Sequence, residues 1–418
     1  LSKNLSTNQP VPDAAYVHIP FCRSRCFYCD FPVSVIGSLR GETSGTMAQY
    51  VAALGQEIEL TLNWRQPLRT IFFGGGTPSL LSVQQLEAIL MRLDQKFGIA
   101  ADAEISMEMD PGTFDLNHLR GYLALGVNRI SLGVQAFQAD LLKDSGRSHT
   151  IADIYTAIAL FHQAGVTNFS LDLISGLPHQ TLKHWQTSLE AAIAIAPSHL
   201  SAYDLIVEPG TAFSRQYQPG DLPLPSESQA ADMYRMARQH LTIAGYHHYE
   251  ISNYAQPGYQ CRHNRVYWEN RPFYGFGMGA ASSLNGDRFT RPRKTHAYYR
   301  WLQAEAKGYF QALEMAHPTA ASSVDRLLET LMLGLRLAEG LDWNHLIAQF
   351  GTAQMLQVWD CLRPYLAQGW VEMVNSQPEN PLIHSPQRMP DQGHLRLSDP
   401  EGFLFSNTIL ATLFSRLE

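Results

Sequence analysis

From residue 14 to about residue 244 the chain repeats one pattern six times: a short apolar run, then a segment whose apolar residues recur at helical spacing. The runs cover residues 15–19, 70–73, 104–107, 129–132, 168–173 and 199–205, and the periodic segments 47–62, 83–97, 116–125, 151–164, 182–195 and 229–244. Helical segments run into glycine at Gly98, Gly126, Gly165 and Gly245, where a left-handed residue ends a helix without a steric cost. Strands separated by helices pair in parallel, because a parallel connection needs a crossover of about a dozen residues or more. The repeat predicts an α/β chain with six strands curved into a partial (β/α)6 barrel. In such folds ligand-binding residues collect at the C-terminal ends of the strands.

Directly after the first run stands Cys22-Arg-Ser-Arg-Cys26-Phe-Tyr-Cys29, which holds three of the five cysteines. Three cysteines cannot pair off, and the loop is too tight for disulfide geometry. Two metal readings are open. Zinc would want a fourth protein ligand, such as His18, and usually takes its cysteines in two separated pairs. A [4Fe–4S] cluster is held by thiolates, and three of them leave one iron free for another ligand. The spacing favours the cluster.

The ends of the next strands are rich in polar and small residues. After the second comes Gly74-Gly75-Gly76-Thr77-Pro78-Ser79, where missing side chains allow close backbone approach. Glu108 precedes Asp110-Pro111-Gly112 after the third, and Gln135 closes the fourth. Arg147 and His149 follow in a loop, and Asp172 opens Asp-Leu-Ile-Ser-Gly-Leu-Pro at the fifth. Each polar residue alone would pass as a cap or loop residue. Their shared placement at successive strand ends points to a ligand.

Composition limits what that ligand serves. With 45% hydrophobic residues over 418 positions the chain can bury a large core and a smaller one, so a mostly disordered protein is excluded. A net charge of −7 leaves no basic footprint for nucleic acid. No run approaches the length of a membrane span, which leaves only peripheral membrane contact open. Residues 1–13 are polar and read as a disordered lead rather than a signal peptide. Five cysteines with no extracellular address fit a reducing compartment, by default the cytoplasm.

The Cys-x3-Cys-x2-Cys loop, with Tyr28 before its last cysteine, resembles the signature of radical S-adenosylmethionine (SAM) proteins. The strand-end motifs, taken in order, are similar to those of the coproporphyrinogen-III-oxidase-like family within that superfamily. The resemblance implies a radical SAM barrel with a [4Fe–4S] cluster on Cys22, Cys26 and Cys29. Its open iron would be chelated by the amino and carboxylate groups of SAM. One electron, from an external electron donor by way of the cluster, would cleave a sulfur–carbon bond to give methionine and a 5′-deoxyadenosyl radical. By the same resemblance Tyr16 and Tyr28 lie near SAM, and Gly75, Gly76 and Thr77 meet its methionine part. Glu108, Gln135, Arg147 and Asp172 bind its ribose and polar groups, as hydroxyls suit carboxylates and a carboxylate suits a guanidinium.

Beyond the barrel, residues 246–315 read as an α+β extension. Tyr-Glu-Ile-Ser-Asn at 249–253 is followed by His263-Asn264-Arg-Val-Tyr267-Trp268, then by a glycine-rich segment at 275–279 expected to be flexible. The His-Asn-x-x-Tyr-Trp hexapeptide is similar to the motif that marks the haem chaperone branch of the family. That implies haem contact at His263, Asn264, Tyr267 and Trp268, with Cys261, Met278, His247 and His248 as competing donors. Read without the resemblance, His263 is as well explained by hydrogen bonding, and Tyr267 and Trp268 by packing. Residues 316–418 predict a small winged-helix-like module. It has helices near 325–337 and 355–366, a strand at 369–373, a Pro/Gln/Asn-rich connection at 376–392, a strand at 395–397 and a last helix at 401–414. It has few Lys or Arg, so contact with a partner or a substrate suits it better than DNA.

Two functions follow from different classes. The first is a haem chaperone with a radical SAM core, which binds a [4Fe–4S] cluster, SAM and haem and transfers haem to an acceptor protein. The alternative is an oxygen-independent coproporphyrinogen III oxidase performing radical oxidative decarboxylation. That enzyme branch carries a further cysteine two residues after the third, where this chain has Phe31, and a longer segment before the cluster loop.

Overall fold

The computed structural model describes residues 11–39, 41–304, 306–315, 322–375 and 388–417. Residues 1–10 of the N-terminal lead, 316–321 and 376–387 of the Pro/Gln/Asn-rich connection lie outside that range. Six strands, β1 (Ala14–Ile19), β2 (Leu68–Gly75), β3 (Ile99–Met109), β4 (Arg129–Gln135), β5 (Phe169–Ser175) and β6 (His199–Asp204), pair in parallel in chain order. Between them run α1 (Gly45–Leu60), α2 (Val83–Phe97), α3 (Leu116–Ala124), α4 (Ile151–Ala164) and α5 (Leu182–Ile195), and α6 (Glu227–Ile243) follows β6. Sequential parallel order with helical crossovers is the (β/α)6 arrangement the repeat predicts. Ser82, Thr150, Thr181 and Ser226 each start a helix with a reciprocal capping box, which satisfies two backbone donors at once.

The strands alternate in a way that divides the barrel into two chemistries. Ala15, Val17 and Ile19, Ile71 and Phe73, Ile105 and Met107, Ile130 and Leu132, and Leu171 and Leu173 belong to the buried apolar core shared with the helices. Their neighbours carry polar or aromatic side chains, and the register aligns them: Tyr16 opposite Phe72, Phe72 opposite Ser106, Glu108 opposite Ser131, Gly133 opposite Asp172 and Asp172 opposite Ser201. Successive side chains leave a strand on opposite faces, so one face packs the helices and the other lines a polar interior.

The sheet extends beyond the six strands. At one edge β8 (Asn253–Ala255) pairs antiparallel with β6 and with β7 (His247–Glu250); at the other, β9 (Tyr274–Phe276) runs parallel to β1. These three short strands were not legible in the sequence, because three- or four-residue strands with His, Tyr and Gly lack a readable alternation. The segment between the two edges carries α7 (Arg262–Trp268), and β9 leads into a hairpin of β10 (Ala281–Leu284) and β11 (Asp287–Thr290). The flexibility expected of the glycines at 275–279 is not found. A side chain at Gly275 would run into the backbone of Ala281 and one at Gly279 into Pro32. Gly277 donates its N–H to Glu57 at 2.8 Å, and Glu57 is itself held by Arg291 at 2.7 Å and Tyr298 at 2.6 Å.

The C-terminal residues form a second core. Helices α8 (Ser323–Gly334), α9 (Trp343–Phe350), α10 (Thr352–Ala367) and α11 (Ser406–Leu417) enclose Leu331, Trp343, Leu362, Leu395 and Ile409, with a three-stranded sheet of β12 (Leu341–Asp342), β14 (His394–Leu397) and β13 (Val371–Val374). The helices and strands follow the order read from sequence, with α9 and the short β12 added. It docks on α6 and β7 through a two-bond Arg235–Glu401 pair at 2.7 and 2.9 Å and through Ile251 N–H to Arg336 C=O at 3.0 Å.

Candidate functional site

The cysteine loop is pinned to the barrel top by its own backbone. Phe21 and Cys22 pair with Ser34 and Val35, Ile36 N–H reaches Cys22 C=O at 2.9 Å, and Phe27 N–H reaches Ser145 C=O at 3.0 Å. Cys22, Cys26 and Cys29 are free, half-buried and line one cavity of about 480 Å³ at the C-terminal strand ends. Burial pushes the Cys22 thiol up to about 12 and the Cys29 thiol up to about 11, so neither ionises unless a metal supplies positive charge. Three thiols around one cavity fit a cluster held by three thiolates. His18, the fourth ligand a zinc site would need, has both ring nitrogens engaged: Nε2 with Pro32 C=O at 2.9 Å and Nδ1 with the Tyr16 hydroxyl at 3.1 Å. Among the described residues no three His, Cys, Asp or Glu side chains converge as on a single ion.

Eight of the nine residues expected at SAM share that cavity: Tyr28, Gly75, Gly76, Thr77, Glu108, Gln135, Arg147 and Asp172. Tyr16 does not; it lines a smaller cavity of about 290 Å³ beneath, which shares Gly75, Glu108 and Asp172 with the upper one. The glycine loop is close-fitting. Gly76 N–H bonds Ile19 C=O at 2.8 Å and Thr77 N–H bonds Phe21 C=O at 2.7 Å, while a Cβ on Gly76 would sit 2.7 Å from the Phe21 carbonyl. Glycine is needed there because the loop lies against the cluster loop's own backbone. Gln135 takes φ +67°, a left-handed conformation rare for a side-chain-bearing residue, at the point where β4 meets the cavity.

The electrostatics of the pocket are set by buried groups that hold one another. Glu108 accepts one backbone bond, from Gly75 at 2.9 Å, and burial with Asp172 and Asp110 nearby pushes its carboxyl up to about 8. Asp172 is raised by burial and opposed by Ser131 at 2.7 and 2.9 Å and Ser170 at 3.2 Å. Arg147 does not present a free fork. Its guanidinium pairs with Asp110, donates to Gly133 C=O at 2.9 Å and reaches Cys26 Sγ at 3.4 Å. Burial alone would lower it, but Asp110, Tyr28 and Cys26 outweigh that and hold it well above its ordinary range.

The His-Asn-x-x-Tyr-Trp residues form α7, which meets the polar interior at the opposite, N-terminal end of the strands. His263, Asn264 and Tyr267 line the lower cavity. His263 is 1% exposed, with Nδ1 2.8 Å from Thr70 Oγ1 and Nε2 2.9 Å from the Tyr267 hydroxyl, and burial lowers it to about 3. Trp268 is absent from that lining; its ring lies under the Arg336 guanidinium at 5.3 Å. Of the competing donors, Cys261 and Met278 are buried, His248 bonds Asp399 at 2.9 Å, and His247 is exposed.

The chain matches the model of the radical SAM superfamily over residues 16–192 and that of the HemN C-terminal domain over 321–375. It is 47% identical to a Synechocystis protein named heme chaperone HemW, across 98% of both chains. The Escherichia coli HemW is 36% identical, covering 86% of this chain and 92% of its own. The chain belongs to the HemW family. Mouse radical S-adenosyl methionine domain-containing protein 1, mitochondrial, is similar too, at 31% identity over 97% of this chain and 88% of its own. A solved structure of Escherichia coli coproporphyrinogen III oxidase (HemN) has the same fold, with a TM-score of 0.76 over 97% of this chain and 90% of that one at 23% identity.

In this HemW-family chain several cavity residues were given no role from sequence, although Asp110 was named at its strand end. Asp110 ties Thr77, at 3.2 Å, to Arg147. Ser131 and Ser170 hold Asp172, Tyr203 and Ile174 complete the cavity wall, and Glu104 holds the start of α7. The signal was present as alternate polar positions within strands, Glu104-x-Ser106-x-Glu108 and Arg129-x-Ser131. A reading for apolar runs passes over it.

Proposed function

We propose that the chain is a radical SAM-type haem chaperone: it holds a [4Fe–4S] cluster and SAM at the barrel top, binds haem and transfers it to an acceptor protein. The observation that carries the cofactor half is the meeting of three free thiols with eight strand-end residues in one cavity. Membership of the HemW family, whose named members are heme chaperones, supports the haem half. Cys22, Cys26 and Cys29 would hold the cluster, and Tyr28, Gly75, Gly76, Thr77, Glu108, Gln135, Arg147 and Asp172, with Tyr16 beneath, would hold SAM. When bound, the pair supplies one-electron cleavage of a sulfur–carbon bond. Around it the chain's residues orient and exclude water. Glu108 keeps its proton near neutral pH and can donate a hydrogen bond, Asp172 accepts, and Arg147 with Asp110 fixes the wall beside Cys26.

The functional division follows the chain: residues 14–245 serve the cluster and SAM, 246–315 bring the haem-motif residues His263, Asn264, Tyr267 and Trp268 to the barrel, and 316–418 offer a surface for the acceptor. An electron donor is a further partner, and the cytoplasm suits the free thiols. No helix among the described residues is long and apolar enough to cross a membrane. Against the oxidase alternative, Phe31 occupies the position of that branch's extra cysteine and is 54% exposed at the cavity rim.

Anaerobic reconstitution should give about four irons per chain, haem should give a Soret band, and reduced protein with SAM and coproporphyrinogen III should give no protoporphyrinogen. Absence of haem binding, or robust turnover of coproporphyrinogen III, would overturn the proposal.

A further inference from the structure

Helix α7 carries the haem-motif residues but holds its histidine in a closed arrangement. An imidazole ligates iron through a bare ring nitrogen. Here Thr70 and Tyr267 occupy both nitrogens of His263, and Phe72 stacks on the ring with centroids 5.3 Å apart. The helix has seven residues, too few to persist by itself, and its N-cap Cys261 supplies no side-chain cap. The cap comes from another element. Glu104, buried on β3, accepts the N–H of Arg262 at 3.1 Å and that of His263 at 3.0 Å, and the Cys261 thiol lies 3.7 Å from the same carboxylate. A carboxylate on the N–H donors left over at a helix start is a charge-assisted contact. It joins α7 to the barrel wall.

We propose that α7 is a latched floor of the barrel, with Glu104 as the latch, and that an iron porphyrin reaches His263 only when the latch opens. The inference rests on the haem chaperone reading and adds how its motif is regulated. The apparent affinity for haem is then the intrinsic affinity multiplied by the fraction of open molecules. Weakening the latch raises that fraction and tightens haem binding. A preformed motif predicts the reverse, because losing Glu104 would disorder a site already built.

The test is haem titration of the full chain by Soret absorbance, comparing wild type with Glu104→Gln, Thr70→Val and the double variant Glu104→Gln/His263→Ala. Thr70→Val removes the second contact that holds α7 closed, the bond to His263 Nδ1, while keeping side-chain volume, so it raises the open fraction by another route and carries the test if Glu104→Gln does not fold. Each single change is expected to tighten haem binding by roughly fivefold or more, the effect of one net hydrogen bond on the open fraction. The double variant is expected to lose that gain and the histidine-dependent Soret position. Unchanged or weaker binding in the folded single variants overturns the latch, as does a gain that survives His263→Ala. A wild type without any haem band overturns the chaperone reading and the latch with it, a result distinguishable from the others because it appears before any substitution.

Discussion

Replacing Asp110 by Asn isolates the charge that organises the pocket wall. Asp110 pairs with Arg147 and accepts from Thr77 Oγ1 at 3.2 Å, and the two paired side chains are 26% and 7% exposed. Asn keeps the shape and can still accept from Thr77, so the substitution removes the negative charge and little else. What remains is a buried guanidinium facing Cys26 Sγ at 3.4 Å and Gly133 C=O at 2.9 Å, with no counter-charge. Breaking a fully buried pair costs about 3–5 kcal/mol and an exposed one about 0.2–1 kcal/mol. The intermediate exposure here places the loss at about 2 kcal/mol, roughly a thirtyfold change in the folded-to-unfolded ratio. Urea unfolding followed by circular dichroism, on wild type, Asp110→Asn, Arg147→Met and the double variant, measures the pair directly. The double variant should recover much of the loss, since no uncompensated charge is left inside. A coupling energy below about 0.5 kcal/mol would refute the reasoning, because residues in real contact exceed that. SAM affinity in Asp110→Asn should fall about tenfold, as Arg147 loses the charge partner that fixes it in the cavity wall.

Three further outcomes check other parts of the site. Cys29→Ser should lose the cluster, read as iron content and visible absorbance after reconstitution, while circular dichroism stays that of the wild type, because the barrel core does not include the loop's thiols; an unfolded variant would contradict that separation. Glu108 stands at about 8 in the fold against 4.5 in the unfolded chain, so the folded state binds the extra proton. Its contribution is fully present below pH 4.5 and lost as pH rises through 8, and Glu108→Gln should remove that decline from the stability–pH curve; identical curves would show the carboxyl to be unperturbed. Gly76→Ala places a methyl 2.7 and 2.8 Å from the carbonyls of Phe21 and Ile19, and should cost about 1–3 kcal/mol along with cluster retention. A variant with full iron content would show that the glycine loop can move aside.

The main elements were legible because their patterns are local. Helices α2, α4 and α5 begin and end where the apolar period does, since Ser82, Thr150 and Thr181 cap them and the next strand begins soon after. The cysteine loop and the strand-end residues were legible for a related reason: each motif is contiguous, and parallel topology brings successive strand ends together. The place of Arg147 at the cavity was legible but its partners were not. That Arg147 spends its donors on Asp110, Gly133, Cys26 and His149 depends on three loops meeting. Glu104 was present as an alternate polar position, but its pairing with α7 was not legible, because its partners lie about 160 residues away.

The sequence by itself determined the strand–helix repeat, the run of three thiols, the glycine loop, and the presence of a second small module. Those follow from periodicity, capping and spacing, which act over a few residues. Tertiary structure decided what the distant His-Asn-x-x-Tyr-Trp segment does in the resting fold. Short strands at both sheet edges carry the chain across from β8 to β9, and a helix too short to stand alone takes its cap from Glu104 and its histidine partner from Thr70. Those contacts join positions far apart in the chain, so no local pattern could encode them.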